Sequence, residues 1–250
     1  LDPEFQANPY AAYQWLRRHS PIYWDANAPA WDGERGIWGV TSYEHIRTVS
    51  LDQVTFTSTQ GSRIDAPPVP SMINRDEPEH LLRRGVVRKR FTPQSVRAFE
   101  PFIRKAVRTL ISNAGTGFDF VEKIAKPLPM MVIGHLFDVP EADHGKLLDW
   151  SDLIATGMSN QPASFEEKVR EAVHQFDAYI SECYRRRLRT PGNDLLSALV
   201  VARESGVLME HKDFLHEALL LLVGGDETTR HVASGGLDAL LANPDSMVRL

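Results

Sequence analysis

The sequence has little cysteine, no long apolar run and no strong excess of one charge. Its single cysteine, Cys183, excludes a disulfide within the chain. No apolar stretch approaches the roughly 20 residues of a membrane-spanning helix, and no secretion signal follows Leu1. The net charge of -5 gives no electrostatic reason to bind nucleic acid or an anionic membrane. These absences predict a cytoplasmic protein without integral membrane association and without a nucleic-acid partner.

Several hydrolytic and metal-binding motifs are also missing. The sequence contains no G-x-S-x-G that would present a nucleophilic serine, and no H-E-x-x-H pair that would bind zinc. Its aspartates form no cluster at metal-ligand spacing. These absences disfavour a metal-dependent helical cyclase or hydrolase, and we assign no metal ligand within the chain.

The pattern of apolar residues predicts a mainly α-helical fold with a small β-sheet, as one domain over residues 1–250. A helix at 9–19 and short strands at 22–24 and 37–40 form an N-terminal part, 1–56. Residues 57–77 lack helical periodicity, and residues 78–250 are helical. The predicted helices are 78–90, 93–114, 127–137, 141–158, 165–190, 194–204 and 212–241.

The segment 57–77 is unusually long for a passive connection. It carries Gly61, Pro67, Pro68 and Pro70, which favour irregular backbone. Loops of this kind often cover a binding site, and an ordinary exposed linker is an equally good interpretation of the composition.

The predicted helix 212–241 carries the most informative residues. About 30 residues at 1.5 Å each give a length near 45 Å, enough to cross a domain, and Ala218 to Val223 contains no polar residue, so we expect full burial there. Gly224 and Gly225 then stand side by side, although each glycine costs a helix interior about 1 kcal/mol relative to alanine. Thr228 follows them by one turn, so its hydroxyl can bond the Gly224 carbonyl beside a shallow groove. Glu227 lies about 100° away around the helix and can supply protons from the side.

A purely structural interpretation of this helix is available. The glycines then permit close helix packing, the Thr228 hydroxyl bonds the backbone without further consequence, and Glu227 pairs with Arg230 or His231. For the glycine pair alone we favour that interpretation. The full combination of glycines, acid and threonine in an otherwise apolar helix favours a functional one.

The sequence from Gly224 to Thr229 resembles the small-G-x-acid-T-T signature in the long central helix of the cytochromes P-450, the haem-thiolate monooxygenases. In that family the groove holds dioxygen on the haem iron, the threonine hydrogen-bonds this oxygen, and the acid supports proton delivery. The resemblance implies these catalytic roles for Thr228 and Glu227, and an oxygen groove at Gly224 and Gly225.

A second match lies in residues 76–84, followed by 91–93, where the family has a histidine and an arginine that bind the haem propionates. Here they are His80 and Arg84. Residues four apart share one helix face, and two donors there suit a pair of carboxylates. The alternative is an exposed basic helix, given the nearby cations, and part of the helix can still offer positive charge to an acidic electron-transfer partner. The nearby cations are Arg83, Arg88, Lys89 and Arg90.

Further matches extend over almost the whole chain, at 126–133, 137–140, 193–199, 230–231 and 234–236. They are most similar to actinobacterial enzymes that oxidise the side chain of cholesterol or cholest-4-en-3-one. The resemblance implies haem b, O2 as co-substrate, a ferredoxin-type electron donor with its reductase, and a sterol-like or other apolar substrate. The candidates for lining the substrate pocket are Val69, Met72, Ile73 and Val223.

The chain departs from the family at its defining residue, the cysteine thiolate that binds the iron. Cys183 lies in a basic amphipathic helix without the family's glycine-rich loop, so we interpret it as a packing or surface cysteine. The E-x-x-R helix is also absent, and we expect both features beyond Leu250, so that the chain is an N-terminal part truncated after the central helix. If the chain truly ends at Leu250, a non-catalytic helical protein that binds a hydrophobic ligand is the alternative. The start of the central helix, from Glu210 to Asp213, lacks a serine or threonine cap and is expected to fray.

Overall fold

The computed structural model describes residues 5, 7–29, 33, 35–64, 66–157, 163–208 and 210–249. These residues fall into two compact units, 1–82 and 83–250. Among the described residues, no helix is both long enough and apolar enough to cross a bilayer.

The first unit contains a two-stranded antiparallel sheet between two helices in chain order. Its elements are α1 (Pro9–His19), β1 (Ile22–Pro29), β2 (Arg35–Val40) and α2 (Tyr43–Leu51). Both predicted strands are confirmed and are longer than predicted; Trp24 faces Trp38 across them with ring centroids 5.2 Å apart. Helix α2 was not predicted, although Ser42 supplies a local signal: its hydroxyl oxygen caps the helix by accepting the His45 backbone N–H.

The segment that precedes α3 (Glu79–Arg88) holds itself together through two polar side chains. Asp76 accepts a hydrogen bond from the Thr57 hydroxyl and another, 2.8 Å long, from the Ser58 backbone N–H. These bonds lower the pKa of the Asp76 carboxyl, and the bond from Thr57 has the largest effect. The buried Asn74 amide donates to the Val69 carbonyl at 3.2 Å, beside a single 3₁₀ turn at Met72–Asn74. Hydrogen bonds therefore join the two ends of this loop, at positions 57–58 and 76.

The second unit is helical throughout its regular structure. Helix α3 passes from the first unit into the second and continues into a 3₁₀ turn at Lys89–Phe91. The remaining helices are α4 (Pro93–Ala114), a π-helical turn (Val121–Ala125), α5 (Pro127–Leu136), α6 (His144–Gly157) after a 3₁₀ turn (Glu141–Asp143), α7 (Ala163–Arg189), α8 (Leu195–Glu204), α9 (His211–Leu241) and α10 (Pro244–Met247). All the helices predicted in this region are present, with ends that differ by a few residues. The predicted helix end at Met158 lies outside the described residues.

Helix α9 is the centre of this unit and contacts α5, α6, α7 and α8. Its buried face repeats at four-residue intervals through Phe214, Ala218 and Leu222 and continues to Asp226. Full burial of Ala218 to Val223 was predicted and is wrong for the described part of the chain. Only two of those six residues are fully buried, because the neighbouring helices cover one face of α9.

The predicted fraying at the start of α9 is also wrong. The Glu210 backbone N–H donates to the Asp213 carboxylate at 3.0 Å, and Asp213 is itself buried. The acid at the third helical position thus accepts the backbone N–H of the N-cap residue, which is one of the two bonds of a capping box.

Candidate functional site

The two glycines of α9 have different surroundings. A Cβ added to Gly225 would overlap Ile133 Cδ1 of α5 and lie 2.9 Å from its Cγ1, so this glycine lets α5 and α9 approach closely. A Cβ added to Gly224 would meet no heavy atom within 4 Å. The packing interpretation therefore holds for Gly225 and leaves Gly224 without a packing reason among the described residues.

Thr228 lies over the Gly224 side of this pair, on the exposed face of the helix. Its hydroxyl donates a 2.7 Å hydrogen bond to the Gly224 carbonyl, as the spacing predicted. The threonine oxygen is thus held beside the bare backbone of Gly224.

Glu227 is placed by two side chains one turn further along α9. Its Oε1 lies 3.1 Å from His231 Nε2, and its Oε2 lies 3.7 Å from Arg230 Nη1. The purely structural interpretation of this helix pairs Glu227 with Arg230 or His231, and both pairs are present. They also keep a carboxylate at fixed distance from two groups that can carry protons or positive charge.

Arg230 connects Glu227 to a buried acid and to the neighbouring helix α6. Its Nη2 lies 2.8 Å from Asp226 Oδ2 and 2.7 Å from Asp152 Oδ1, while Lys126 Nζ lies 2.8 Å from Asp152 Oδ2. Asp226 has no exposed surface, and this burial raises the pKa of its carboxyl although Arg230 opposes the change. Hydrogen bonding to Asp152 raises the pKa of Lys126.

The same cluster brings together three carboxylates that the sequence does not place near one another. One oxygen each from Asp152, Asp226 and Glu227 lie within 4.8 Å of one another. The cations Arg230 and Lys126 pair with these acids, so the arrangement is an ion-pair network between α6 and α9. No local pattern marks Asp152 as a partner of Arg230 or of Lys126, since only the packing of α5, α6 and α9 brings these residues together.

His80 and Arg84 lie four residues apart on α3. Glu77 holds the histidine: its Oε1 lies 3.0 Å from His80 Nδ1, and its Oε2 accepts the Leu81 backbone N–H at 3.0 Å. The Arg84 side chain is exposed and has no hydrogen-bond or ion-pair partner in the described part of the chain. The structure thus presents one oriented imidazole and one unpaired guanidinium on this helix.

Arg83, which we grouped with the exposed basic residues of this helix, is in fact 2% exposed. Its Nη2 lies 3.4 Å from Asp213 Oδ2 and its Nη1 lies 3.3 Å from Glu217 Oε1. Arg83 is buried because α9 presents these two acids to it, one helical turn apart. Two acids at this spacing in an apolar helix are the sequence signal that points to a buried cation.

The candidates for substrate contact are distributed over both units. Val69 and Ile73 are exposed and Met72 is half-buried in the loop of the first unit. Val223 is half-buried on α9, directly before the glycine pair. Their assignment to a substrate pocket stays a prediction.

Cys183 is buried on α7, and this burial raises the pKa of its thiol. A thiol in an apolar environment stays protonated and unreactive. The interpretation as a packing cysteine agrees with these surroundings.

Several known proteins that are similar to this chain are named as monooxygenases or hydroxylases. A steroid C26-monooxygenase of Mycolicibacterium smegmatis is 35% identical over 237 residues, which are 94% of this chain and 57% of that protein. An erythromycin C-12 hydroxylase of Saccharopolyspora erythraea is 33% identical over 205 residues, 80% of this chain and 52% of that protein. This chain therefore spans little more than half the length of these relatives. No family model matches it.

Solved structures of known proteins are also similar to this chain in fold. A Mycobacterium marinum cytochrome P-450 in complex with pseudoionone matches 98% of this chain with a TM-score of 0.86 and 27% identity, over 63% of its own length. A Bacillus megaterium enzyme in complex with testosterone matches 100% of this chain with a TM-score of 0.81 and 29% identity, over 65% of its own length. The likeness thus extends over nearly all of this chain in both sequence and structure.

Proposed function

The chain belongs to the cytochrome P-450 family, and from this premise we propose that the protein containing it is a haem-dependent monooxygenase that inserts one oxygen atom of O2 into an apolar substrate. The observation that carries the proposal is the hydrogen bond from Thr228 to the Gly224 carbonyl, beside a glycine that no packing contact explains. That arrangement leaves a polar hydroxyl next to open backbone on the exposed face of the helix.

The residues of α3 fit the propionates of haem b. Arg84 is an exposed guanidinium without a partner among the described residues, and a guanidinium binds carboxylates through two parallel hydrogen bonds. His80 has one ring nitrogen directed at Glu77, so it can donate to a propionate through the other nitrogen when the ring is protonated.

Haem, when bound, supplies the iron that activates dioxygen. Cys183 is the only cysteine of the chain, and it is buried on α7 as a thiol, so we assign no iron ligand to this chain. This part of the protein would hold the propionates, shape the oxygen groove and deliver protons.

Proton delivery is assigned to Thr228 and Glu227. The Thr228 hydroxyl, which donates to the Gly224 carbonyl at 2.7 Å, would turn its proton toward the groove and donate from Oγ1. Glu227, when protonated, would return a proton to that hydroxyl and become a carboxylate. His231, at 3.1 Å from its Oε1, and the cation Arg230 would stabilise the Glu227 carboxylate that remains.

The substrate we propose is a sterol, cholesterol or cholest-4-en-3-one, oxidised on its side chain. Support comes from relatives named as steroid C26-monooxygenases and from a structural neighbour solved with testosterone. Val69, Met72, Ile73 and Val223 would supply apolar contacts. We further propose a cytoplasmic location and electrons from a ferredoxin-type protein with its reductase.

Carbon monoxide binding to the reduced, haem-loaded protein tests the proposed function. We expect the Soret band of a thiolate-ligated haem. Well-folded, haem-loaded protein that lacks this band would refute the proposal. Protein that binds sterol but no iron would instead support a non-catalytic ligand-binding role.

The variant Thr228→Ala tests the groove itself. We expect haem and substrate to bind as before, while electrons are diverted from product to peroxide because the hydroxyl proton donor is gone. Ser234→Ala is the matched control, since the Ser234 hydroxyl also bonds a backbone carbonyl of α9, that of Arg230 at 3.0 Å. If the two variants send the same fraction of electrons to product, Thr228 has no part in the mechanism.

A further inference from the structure

Helix α3 is attached to α9 through a buried charged clamp. The clamp consists of Arg83, Asp213 and Glu217, which are 2%, 4% and 1% exposed. The two acids are four residues apart and project side by side from α9, and the arginine reaches one with each terminal nitrogen, at 3.4 and 3.3 Å. Val87, one turn after Arg83, completes the buried face of α3.

This contact restrains α3 more strictly than apolar packing does. A guanidinium has its donors in a rigid plane, so pairing with two carboxylates one helical turn apart sets both the rotation of α3 and its position along α9. Asp213 is itself fixed, because it accepts the backbone N–H of Glu210 at 3.0 Å. A shift of α3 along α9 would separate these buried charges from one another, which is costly.

The clamp connects the two parts of the proposed site, Arg84 on α3 and the oxygen groove at Thr228 on α9. Arg84 follows Arg83 directly and lies about 100° further around α3, so the buried arginine determines where the exposed one projects. Glu217 and Thr228 belong to the same helix, eleven residues apart, which is about 16 Å at 1.5 Å per residue. One rigid helix therefore carries both the acids of the clamp and the oxygen groove.

We propose that Arg83 is a positioning residue that sets Arg84, and with it the haem propionates, at a fixed place relative to Thr228. The inference rests on the proposed function, since it gives the clamp the task of aligning haem with the oxygen groove. Arg83 touches neither haem nor oxygen in this scheme and acts only through Arg84 and α9.

The test uses haem-loaded protein and a variant that removes all three charges of the clamp together, Arg83→Met combined with Asp213→Asn and Glu217→Gln. The core variant Ile180→Val is the control for a modest loss of stability away from the clamp, because Ile180 is fully buried on α7. We measure the rate of haem transfer to excess apomyoglobin and the fraction of electrons released as peroxide. We expect the clamp variant to lose haem at least tenfold faster than the wild type and to release more peroxide, while the control does neither.

A combination with Arg84→Gln separates positioning from general loosening. If Arg83 acts through Arg84, adding the clamp variant to Arg84→Gln accelerates haem loss no further, whereas independent effects multiply. Multiplying effects, or wild-type haem loss and coupling in the clamp variant, would overturn the inference while leaving the proposed function intact. A wild-type protein that binds no haem would overturn both.

Discussion

Replacing each glycine of the central helix by alanine should change stability in opposite directions. Alanine in a helix interior is favoured over glycine by about 1 kcal/mol. At Gly224 the added methyl group meets no heavy atom within 4 Å, so the whole gain should remain. We expect Gly224→Ala to stabilise the protein by about 1 kcal/mol, which raises Tm by roughly 2–4 °C for a domain of this size.

At Gly225 the same change forces the new methyl group onto Ile133, which is buried in α5. Overpacking of a core costs about 1–3 kcal/mol, and the helix gain offsets about 1 kcal/mol of it. Gly225→Ala should therefore be neutral to destabilising by about 2 kcal/mol. Ile133→Val removes the overlapping Cδ1, so it should restore stability to Gly225→Ala although it costs about 0.5–1.5 kcal/mol alone.

Urea unfolding followed by far-ultraviolet circular dichroism measures the wild type, the three single variants and the double variant Gly225→Ala/Ile133→Val. The free energies of unfolding should rank Gly224→Ala above the wild type and Gly225→Ala at or below it, with positive coupling between Gly225→Ala and Ile133→Val. Similar losses at both glycines would refute the distinction between an open and a packed side of the helix. In haem-loaded protein, Gly224→Ala should release more peroxide despite its higher stability, because the methyl group occupies the groove.

Three further predictions concern buried polar groups of the second unit. The thiol of Cys183 should react with iodoacetamide far more slowly in native than in unfolded protein, because burial raises its pKa; rapid native labelling, detected by mass spectrometry, would contradict this. Arg187→Met should cost about 3–5 kcal/mol in urea unfolding, because it strands the buried Asp194 carboxylate that Arg187 Nε contacts at 2.7 Å. Asp194→Asn added to it should recover much of this loss, and a single variant of wild-type stability would refute the argument. Burial raises the pKa of Asp226, so native protein binds this proton more tightly than unfolded protein, and stability should fall as pH rises above the ordinary value near 3.8. Asp226→Asn should flatten that part of the pH–stability profile, and an unchanged slope would show that Asp226 is not its source.

The features predicted well from sequence depend on contacts within one or two helical turns. The central helix was expected at 212–241 and is found at His211–Leu241, because its apolar period is continuous. The bond from Thr228 to Gly224 and the pairing of Glu227 with His231 follow from four-residue spacing alone. Local geometry thus determines most of the proposed oxygen groove.

The features that were missed depend on contacts between distant segments or on unusual capping. Arg83 lies in a run of basic residues, and its burial follows only once α9 presents Asp213 and Glu217 to it. The same holds for Asp152, which reaches Arg230 through the packing of α6 on α9. Sequence patterns give the face of a helix but not the element that covers it.

The ion pairs of Glu227 and its proposed part in proton delivery are compatible, because the strongest contacts of Arg230 are elsewhere. Arg230 lies 2.7 Å from Asp152 and 2.8 Å from the buried Asp226, but 3.7 Å from Glu227. Its position is therefore set by the first two acids, and the Glu227 carboxylate can gain or lose a proton without dismantling the network between α6 and α9. His231 faces the other oxygen of Glu227 with a side chain that is 70% exposed. The contact of Arg230 with the neighbouring helix thus rests mainly on Asp226 and Asp152, which leaves Glu227, the acid farthest from Arg230, for the proposed proton delivery.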